Sequence, residues 1–220
     1  ALTAGLSKPP FVIENDINNS GIQLDLIRAI FAVDNQKVNF IHMPLVRSFS
    51  SVDKWHSDGT ITLPSNYKKN NVYISEPYIN YQNVAVTLAE DSLSINKIAD
   101  LSGKQIIAFQ MAKNFLGENF SKTMSQAKQY TEMADQMKQI EMLFVKRTQV
   151  IILDISILKH FIKKYKAKTY KKDYVVHALF PRKIYSAGFK SRAVRDQFNR
   201  GLKKIQENGT YQQIIDKYLL

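Results

Sequence analysis

One carboxylate in this sequence stands where a charge needs company. Val150-Ile-Ile-Leu153 is a continuous apolar run, as a strand buried on both faces reads, and Asp154 follows it directly. A carboxylate at a partly desolvated strand end needs a cation or hydrogen-bond donors. Backbone donors would come from a helix predicted from Ser156 to Tyr165, with Asp154 as its cap. Other chemistries lack their residues. Cysteine is absent, which excludes disulfides and thiol chemistry. His42, His56, His160 and His177 stand apart, with no metal-ligand spacing, so neither a metal nor another cofactor is expected. No Gly-x-Ser-x-Gly elbow and no P-loop occurs.

The formal net charge is +12. Such a balance suits nucleic acid, anionic lipid or an acidic ligand. Much of it lies in one lysine run, Lys159, Lys163, Lys164, Lys166, Lys168, Lys171 and Lys172, which reads as a solvated basic face. No nucleic-acid-binding motif accompanies it, and no nucleic-acid partner is expected. No apolar run approaches the ~20 residues that span a bilayer. The opening Ala1-Leu-Thr-Ala-Gly-Leu6 has no basic leader and no apolar core of a signal peptide.

The elements that must carry these side chains alternate. Leu2 to Leu6 is extended. Apolar Ile22, Leu26, Ile27, Ile30 and Phe31 recur at helical spacing to Val33, with Asp25 suited to the first turn. Lys37–Ile41 is a strand, and Leu45 to Trp55 a helix. Gly59 to Leu63 is a strand that stops at Pro64, and Ser75-Glu-Pro-Tyr78 a turn. Val84–Leu88 is a strand, after which the chain changes character. Strands at Gln105–Phe109, Lys128–Thr131 and Val150–Leu153 alternate with helices at about 114–124 and 135–146. Two strands follow, Tyr174–Leu179 and Tyr185–Lys190, and Ser191 to Leu220 is helical. Strand, helix, strand in this order predicts parallel sheets with helices on their faces.

Several stretches resemble one family, the extracellular solute-binding proteins of the amino-acid type, family 3. Pro9-Pro-Phe11 followed by Ser20-Gly-Ile-x-Leu-Asp-Leu26 is similar to its opening. Ser65-Asn-Tyr-Lys68 stands where the family has Thr-x-x-Arg, and Tyr73-Ile-Ser-Glu-Pro-Tyr78 approximates its Phe-Ser-x-Pro-Tyr turn. Leu101-Ser-Gly-Lys104 fits its entry to a second lobe, and Asn208-Gly-Thr-Tyr211 with Lys217-Tyr218 its ending. The resemblance implies an α/β chain with the two-lobed type II periplasmic-binding-protein fold, each lobe a mainly parallel sheet flanked by helices. Lobe 1 would be 1–86 with 186–220 and lobe 2 would be 87–185, with hinge crossings near 84–90 and 181–186.

In that fold the ligand meets the residues just after the strands. Asp154 then matches an aspartate that pairs with a ligand ammonium. Lys68 replaces the arginine that clamps a ligand α-carboxylate, a point charge in place of a fork. Arg47, in Met43-Pro-Leu-Val-Arg47, can supply that fork. Thr60, Thr62 and Ser65 line the same shoulder. Gln110, Lys113 and Asn114 match the family's Gln-x-Gly-Ser/Thr-x loop, with Ala112 for the glycine and Lys113 for the hydroxyl. Lys8 stands where many members place a stacking aromatic, and Phe11, Trp55 and Tyr78 are candidate apolar walls.

The activity implied is binding, not catalysis. The ligand would be a small polar anion or zwitterion, an amino-acid-like solute or organic acid, delivered in the periplasm to an ABC-type membrane permease. A signal peptide or anchor would have been removed. Two alternatives stay open: the sensing domain of a membrane-bound histidine kinase or diguanylate cyclase, and a dehydratase-like enzyme on the same fold.

Overall fold

The computed structural model describes residues 1–14, 19–44, 47–48, 57–68, 70–165 and 173–219. The chain divides into two compact units, Ala1–Tyr81 with Lys183–Leu220, and Gln82–Arg182. Most of the helix expected over 45–55, with Trp55, and the lysines at 166–172 lie outside the described residues.

Unit 1 opens with β1 (Leu2–Ala4), α1 (Ile22–Ala32), β2 (Phe40–His42) and β3 (Gly59–Pro64). β1 lies between β2 and β3 and is parallel to both, with Leu2 beside Phe40 and Gly59. That is the pairing a strand–helix–strand order requires. The helical periodicity is realised in full: Ile22, Leu26, Ile27, Ile30 and Phe31 are all buried. Pro64 takes the last place in β3, one residue beyond the expected stop. Two short strands follow, β4 (Tyr73–Ile74) and β5 (Ile79–Tyr81).

Unit 2 begins with β6 (Asn83–Leu88) and β7 (Gln105–Phe109). The single helix expected over 114–124 is two, α2 (Ala112–Leu116) and α3 (Glu118–Met124). The break is Gly117, at φ +94°, a conformation only glycine adopts without strain. Then come β8 (Gln129–Met133), α4 (Gln136–Phe144), β9 (Val150–Asp154), α5 (Ile155–Tyr165) and β10 (Tyr174–His177). The sheet order is β10-β6-β9-β7-β8. β7 is parallel to β8 and β9, whereas β6 is antiparallel to β9 and β10. Val150 to Asp154 is buried throughout, as expected of a strand covered on both faces. Gln139 of α4 is buried too, and its amide donates to the carbonyls of Ile107 (2.8 Å) and Ile152 (2.9 Å), tying helix to sheet. An aromatic core of Phe120, Phe180 and Tyr130 packs edge to face beside it.

The chain returns to unit 1 as β11 (Lys183–Phe189), antiparallel to β3, β4 and β5. Both sheets are therefore mixed, because the strands that leave and re-enter a unit run against its strand–helix–strand set. Two helices finish the chain, α6 (Arg192–Glu207) and α7 (Thr210–Leu219), separated at Gly209, φ +82°. α6 lies directly on α1: a Cβ at Gly201 would sit 2.3 Å from the Ile30 carbonyl oxygen. α7 is clasped to the start of α1. Tyr218 Oη and Lys217 Nζ donate to Asp25 at 2.7 and 2.9 Å, and the Gly21 amide donates to Tyr218 Oη at 2.9 Å. Burial alone would raise the Asp25 pKa, but these bonds and the Lys217 and Arg28 charges outweigh it and hold it below the ordinary value. No helix among the described residues is long and apolar enough to cross a membrane.

Candidate functional site

Parallel strands bring their carboxyl ends to one edge of a sheet, so the residues after β1, β2 and β3 in unit 1, and after β7, β8 and β9 in unit 2, share an edge of their own sheet. The two edges are built differently.

In unit 1 the chain leaves β1 through a tight loop. The Lys8 amide donates to the Val12 carbonyl at 2.6 Å, and the Phe11 and Val12 amides donate back to the Lys8 carbonyl. The loop sets the buried Phe11 ring against Tyr81, centroids 4.1 Å apart. Lys8 Nζ stands 4.1 Å from the centre of the Tyr81 ring and 5.9 Å from that of Phe11. The position where many family members place a stacking aromatic thus holds a cation seated on aromatics, an attraction of roughly 0.5–2 kcal/mol depending on exposure.

Thr60, Thr62, Ser65 and Tyr78 make bonds within unit 1. Thr60 is fully buried, with its hydroxyl 2.7 Å from that of Ser48. Thr62 Oγ1 accepts from Gln23 Nε2 at 3.0 Å. Ser65 Oγ donates to the Ile184 carbonyl and accepts from Ser186 Oγ, both at 3.1 Å. Tyr78 is buried in the core. Its hydroxyl donates to the Ile61 carbonyl at 2.6 Å and accepts from Gln23 Nε2 at 3.0 Å, and burial pushes its pKa up. The turn around Tyr78 is pinned at both ends. Ser75 Oγ accepts the Ala187 amide, and Tyr211 Oη donates to the Tyr78 carbonyl. Lys68 and Arg47 are exposed.

In unit 2 the Asp154 carboxylate is 2% exposed. Its Oδ1 accepts the amides of Ser156 (2.7 Å) and Ile157 (3.3 Å), and its Oδ2 the amide of Gln82 (2.7 Å). Two of these are cap bonds to the first turn of α5; the third ties in the residue just before β6. The capping role open in the sequence is therefore present. These backbone amides are donors of the kind a buried carboxylate needs.

The loop after β7 contains Gln110 and Asn114, both exposed, and Lys113, half-buried with Nζ 4.7 Å from the Tyr130 ring centre. Ala112, where the family pattern has glycine, is fully buried in the unit 2 core. Met111 takes a left-handed conformation, φ +67°, and turns its own amide and that of Lys113 toward β8. There they meet Glu132, a residue that sequence reasoning missed. Glu132 Oε2 accepts the Met111 amide at 2.7 Å; Oε1 accepts the Lys113 amide at 3.0 Å and the Tyr130 hydroxyl at 2.7 Å. Burial disfavours the charged carboxylate, but the Lys113 amide, the Tyr130 hydroxyl, the Met111 amide and the Lys113 charge prevail and hold the Glu132 pKa below its ordinary value. Burial and the neighbouring carboxylate push the Tyr130 pKa up, so its hydroxyl stays a donor. The register explains the meeting. β8 is parallel to β7 with Glu132 beside Ala108, one step before the loop. Tyr130 and Glu132, two apart on a strand, share a face. An acid at that spacing, on the strand next to the Gln110 loop, is the signal that would have found it.

Among the described residues no group of three or more His, Cys, Asp or Glu is placed to hold a metal. His42 and His177 are both in local hydrogen bonds, to Asn19 and the Gly5 carbonyl, and to Thr87 and the Ile95 carbonyl.

A family model described as bacterial extracellular solute-binding proteins, family 3, matches residues 2–220. No curated protein matches the chain. Among solved structures, a mutant of the arginine-binding protein ArgBP from T. maritima is 20% identical, with TM-score 0.75 over 99% of this chain and 94% of that one. An ABC uptake transporter substrate-binding protein from Streptococcus pneumoniae, solved with bound histidine, is 16% identical, with TM-score 0.73 over 99% and 91%. An ancestral amino-acid-binding protein, AncCDT-1, a precursor of cyclohexadienyl dehydratase, is 17% identical, with TM-score 0.75 over 100% and 95%. At these identities the structures speak for the fold alone, and that fold is the type II periplasmic-binding-protein fold.

Proposed function

The chain belongs to the bacterial extracellular solute-binding proteins, family 3, and from that premise we propose that it binds a small anionic or zwitterionic solute in the periplasm and delivers it to an ABC-type permease. The observation that carries this reading is the family match across residues 2–220, which spans both units. The charge of the solute follows from the strand-end side chains. Lys8, Arg47 and Lys68 in unit 1 place positive charge after β1, after β2 and after β3. Positive potential of that kind raises the local concentration of anions. In this reading Arg47 and Lys68 hold the anion.

Binding is favoured over catalysis because the strand-end acids Asp154, Glu132 and Asp135 of unit 2 are engaged with backbone amides. An acid–base catalyst has to hand a proton to a substrate.

A thermal-shift panel of amino acids, organic acids and polyamines tests the reading, since a solute that binds the native state alone raises the melting temperature. A carboxylate-bearing solute is the expected hit. Calorimetry on Arg47→Ala with that solute should show a loss of about 2–5 kcal/mol, the cost of leaving a desolvated charge unpaired. Lys68→Ala should lose about 1 kcal/mol or less if its ammonium stays in water. A panel that yields only polyamines would reverse the charge assignment.

A further inference from the structure

The amides of Met111 and Lys113 point at a carboxylate that belongs to the protein. Glu132 takes both, one on each oxygen, and Tyr130 adds a hydroxyl to Oε1. Lys113, whose ammonium lies over the Tyr130 ring, supplies positive charge close by. The arrangement is that of a bound anion: two amides from one turn, a hydroxyl and a nearby cation. Its occupant is covalently part of the chain, so its local concentration exceeds that of any free solute. Every group in the cluster is also positioned by regular structure. β8 sets the face of Tyr130 and Glu132, the parallel register sets their height against β7, and Met111 at φ +67° aims the amides.

We infer that Glu132 is a specificity-determining residue, an internal carboxylate that withholds the loop amides from a ligand carboxylate, so that the ligand group facing this loop is neutral or cationic. This rests on the solute-binding reading above. It adds a direction to it. The polar group of a solute that meets the unit 2 loop is then an amine, hydroxyl or amide. A second carboxylate brought to Met111 and Lys113 would meet like charge at hydrogen-bond range and find both donors taken.

The test uses the whole chain and acetate as the probe, followed by the amide resonances of Met111 and Lys113 at neutral pH. In the wild type both amides should titrate together with the Glu132 side-chain carboxyl and stay unmoved by acetate. In Glu132→Ala both should respond to acetate at least about tenfold more strongly, the factor that one charge-assisted hydrogen bond is worth. Glu132→Gln keeps the shape and an acceptor, drops the charge, and should move in the same direction. If neither variant folds, the wild-type titration decides alone. Amides that ignore the Glu132 titration, or that move with acetate in the wild type while Glu132 is ionised, overturn the inference. A thermal-shift panel without any hit would instead sink the solute-binding reading and leave the acetate comparison standing.

Discussion

Unit 1 and unit 2 each place a charged side chain of their own at the strand-end edge, and the two charges are opposite. Lys8 rests on the Tyr81 and Phe11 rings. Glu132 is held by two amides and a hydroxyl. A ring face attracts a cation without strong directional demand, and the four-carbon lysine stem is flexible. A carboxylate in three directed bonds has one good position. Unit 1 is thus the adaptable edge, able to release its cation toward an incoming anion. Unit 2 is the fixed edge, with its anion built in.

The largest test of this contrast asks whether the two units are held by cores of their own. Phe120 is fully buried in unit 2, and Phe198 in unit 1, where it packs on Phe31, Tyr78 and Phe189. Phe120→Ala should cost about 3–5 kcal/mol, and hydrogen exchange should show protection lost within 82–182. Equal loss in unit 1 would break the comparison. Phe198→Ala should give the mirror result.

A smaller effect separates the glycines. Gly201→Ala drives a methyl into the Ile30 carbonyl and should cost about 1–3 kcal/mol by overpacking. A Cβ at Gly117 would meet nothing within 4 Å. Gly117→Ala should therefore cost only the strain of a side chain at φ 94°, ψ 173°, about 1–3 kcal/mol. Urea midpoints of the two variants rank them.

Acid sharpens the comparison further. The Glu132 pKa is lowered by folding, so its contribution is complete above the ordinary carboxylate pKa and is lost as pH falls through the lowered one. Asp25 behaves alike in unit 1. Glu132→Gln should flatten the acid limb of unit 2 stability and leave that of unit 1 unchanged, read as unit-resolved exchange against pH. Unchanged acid sensitivity in 82–182 would remove Glu132 from the ledger of stabilising groups. The smallest expected change is Lys8→Met, which keeps the stem and drops the charge. It should cost about 0.5–1 kcal/mol, measured by the shift in urea midpoint.

Much of the scaffold was legible in the sequence because it rests on local pattern. Ile22, Leu26, Ile27, Ile30 and Phe31 repeat at helical spacing and all turn inward. Val150 to Leu153 read as a buried strand and is one. Asp154 was legible as an acid that needed donors; that Gln82 supplies one of them is a contact across 72 positions. Tyr78 read as an apolar wall because its aromatic ring was visible and its hydroxyl partners, Ile61 and Gln23, were not. Glu132 escaped because its strand was expected to stop at Thr131, two residues short of its end at Met133, which took the acid out of the alternation. Lys8 was placed by resemblance, yet its seat is Tyr81, distant in sequence, and no local pattern links them.

The split composition of unit 1 sets an order in which a chain that emerges N-terminus first can complete its contacts. Ala1–Tyr81 emerges first but without β11, α6 and α7, so β3 lacks its antiparallel neighbour and α1 lacks both the Gly201 face and the clasp on Asp25. Gln82–Arg182 follows as one unbroken segment that holds all five strands of its sheet. The later half can therefore complete its contacts first, since domains generally fold as units. Until then the earlier half presents β3 as a bare edge, open to pairing with another unfolded chain. β3 gains its antiparallel neighbour only when Lys183–Phe189 has emerged.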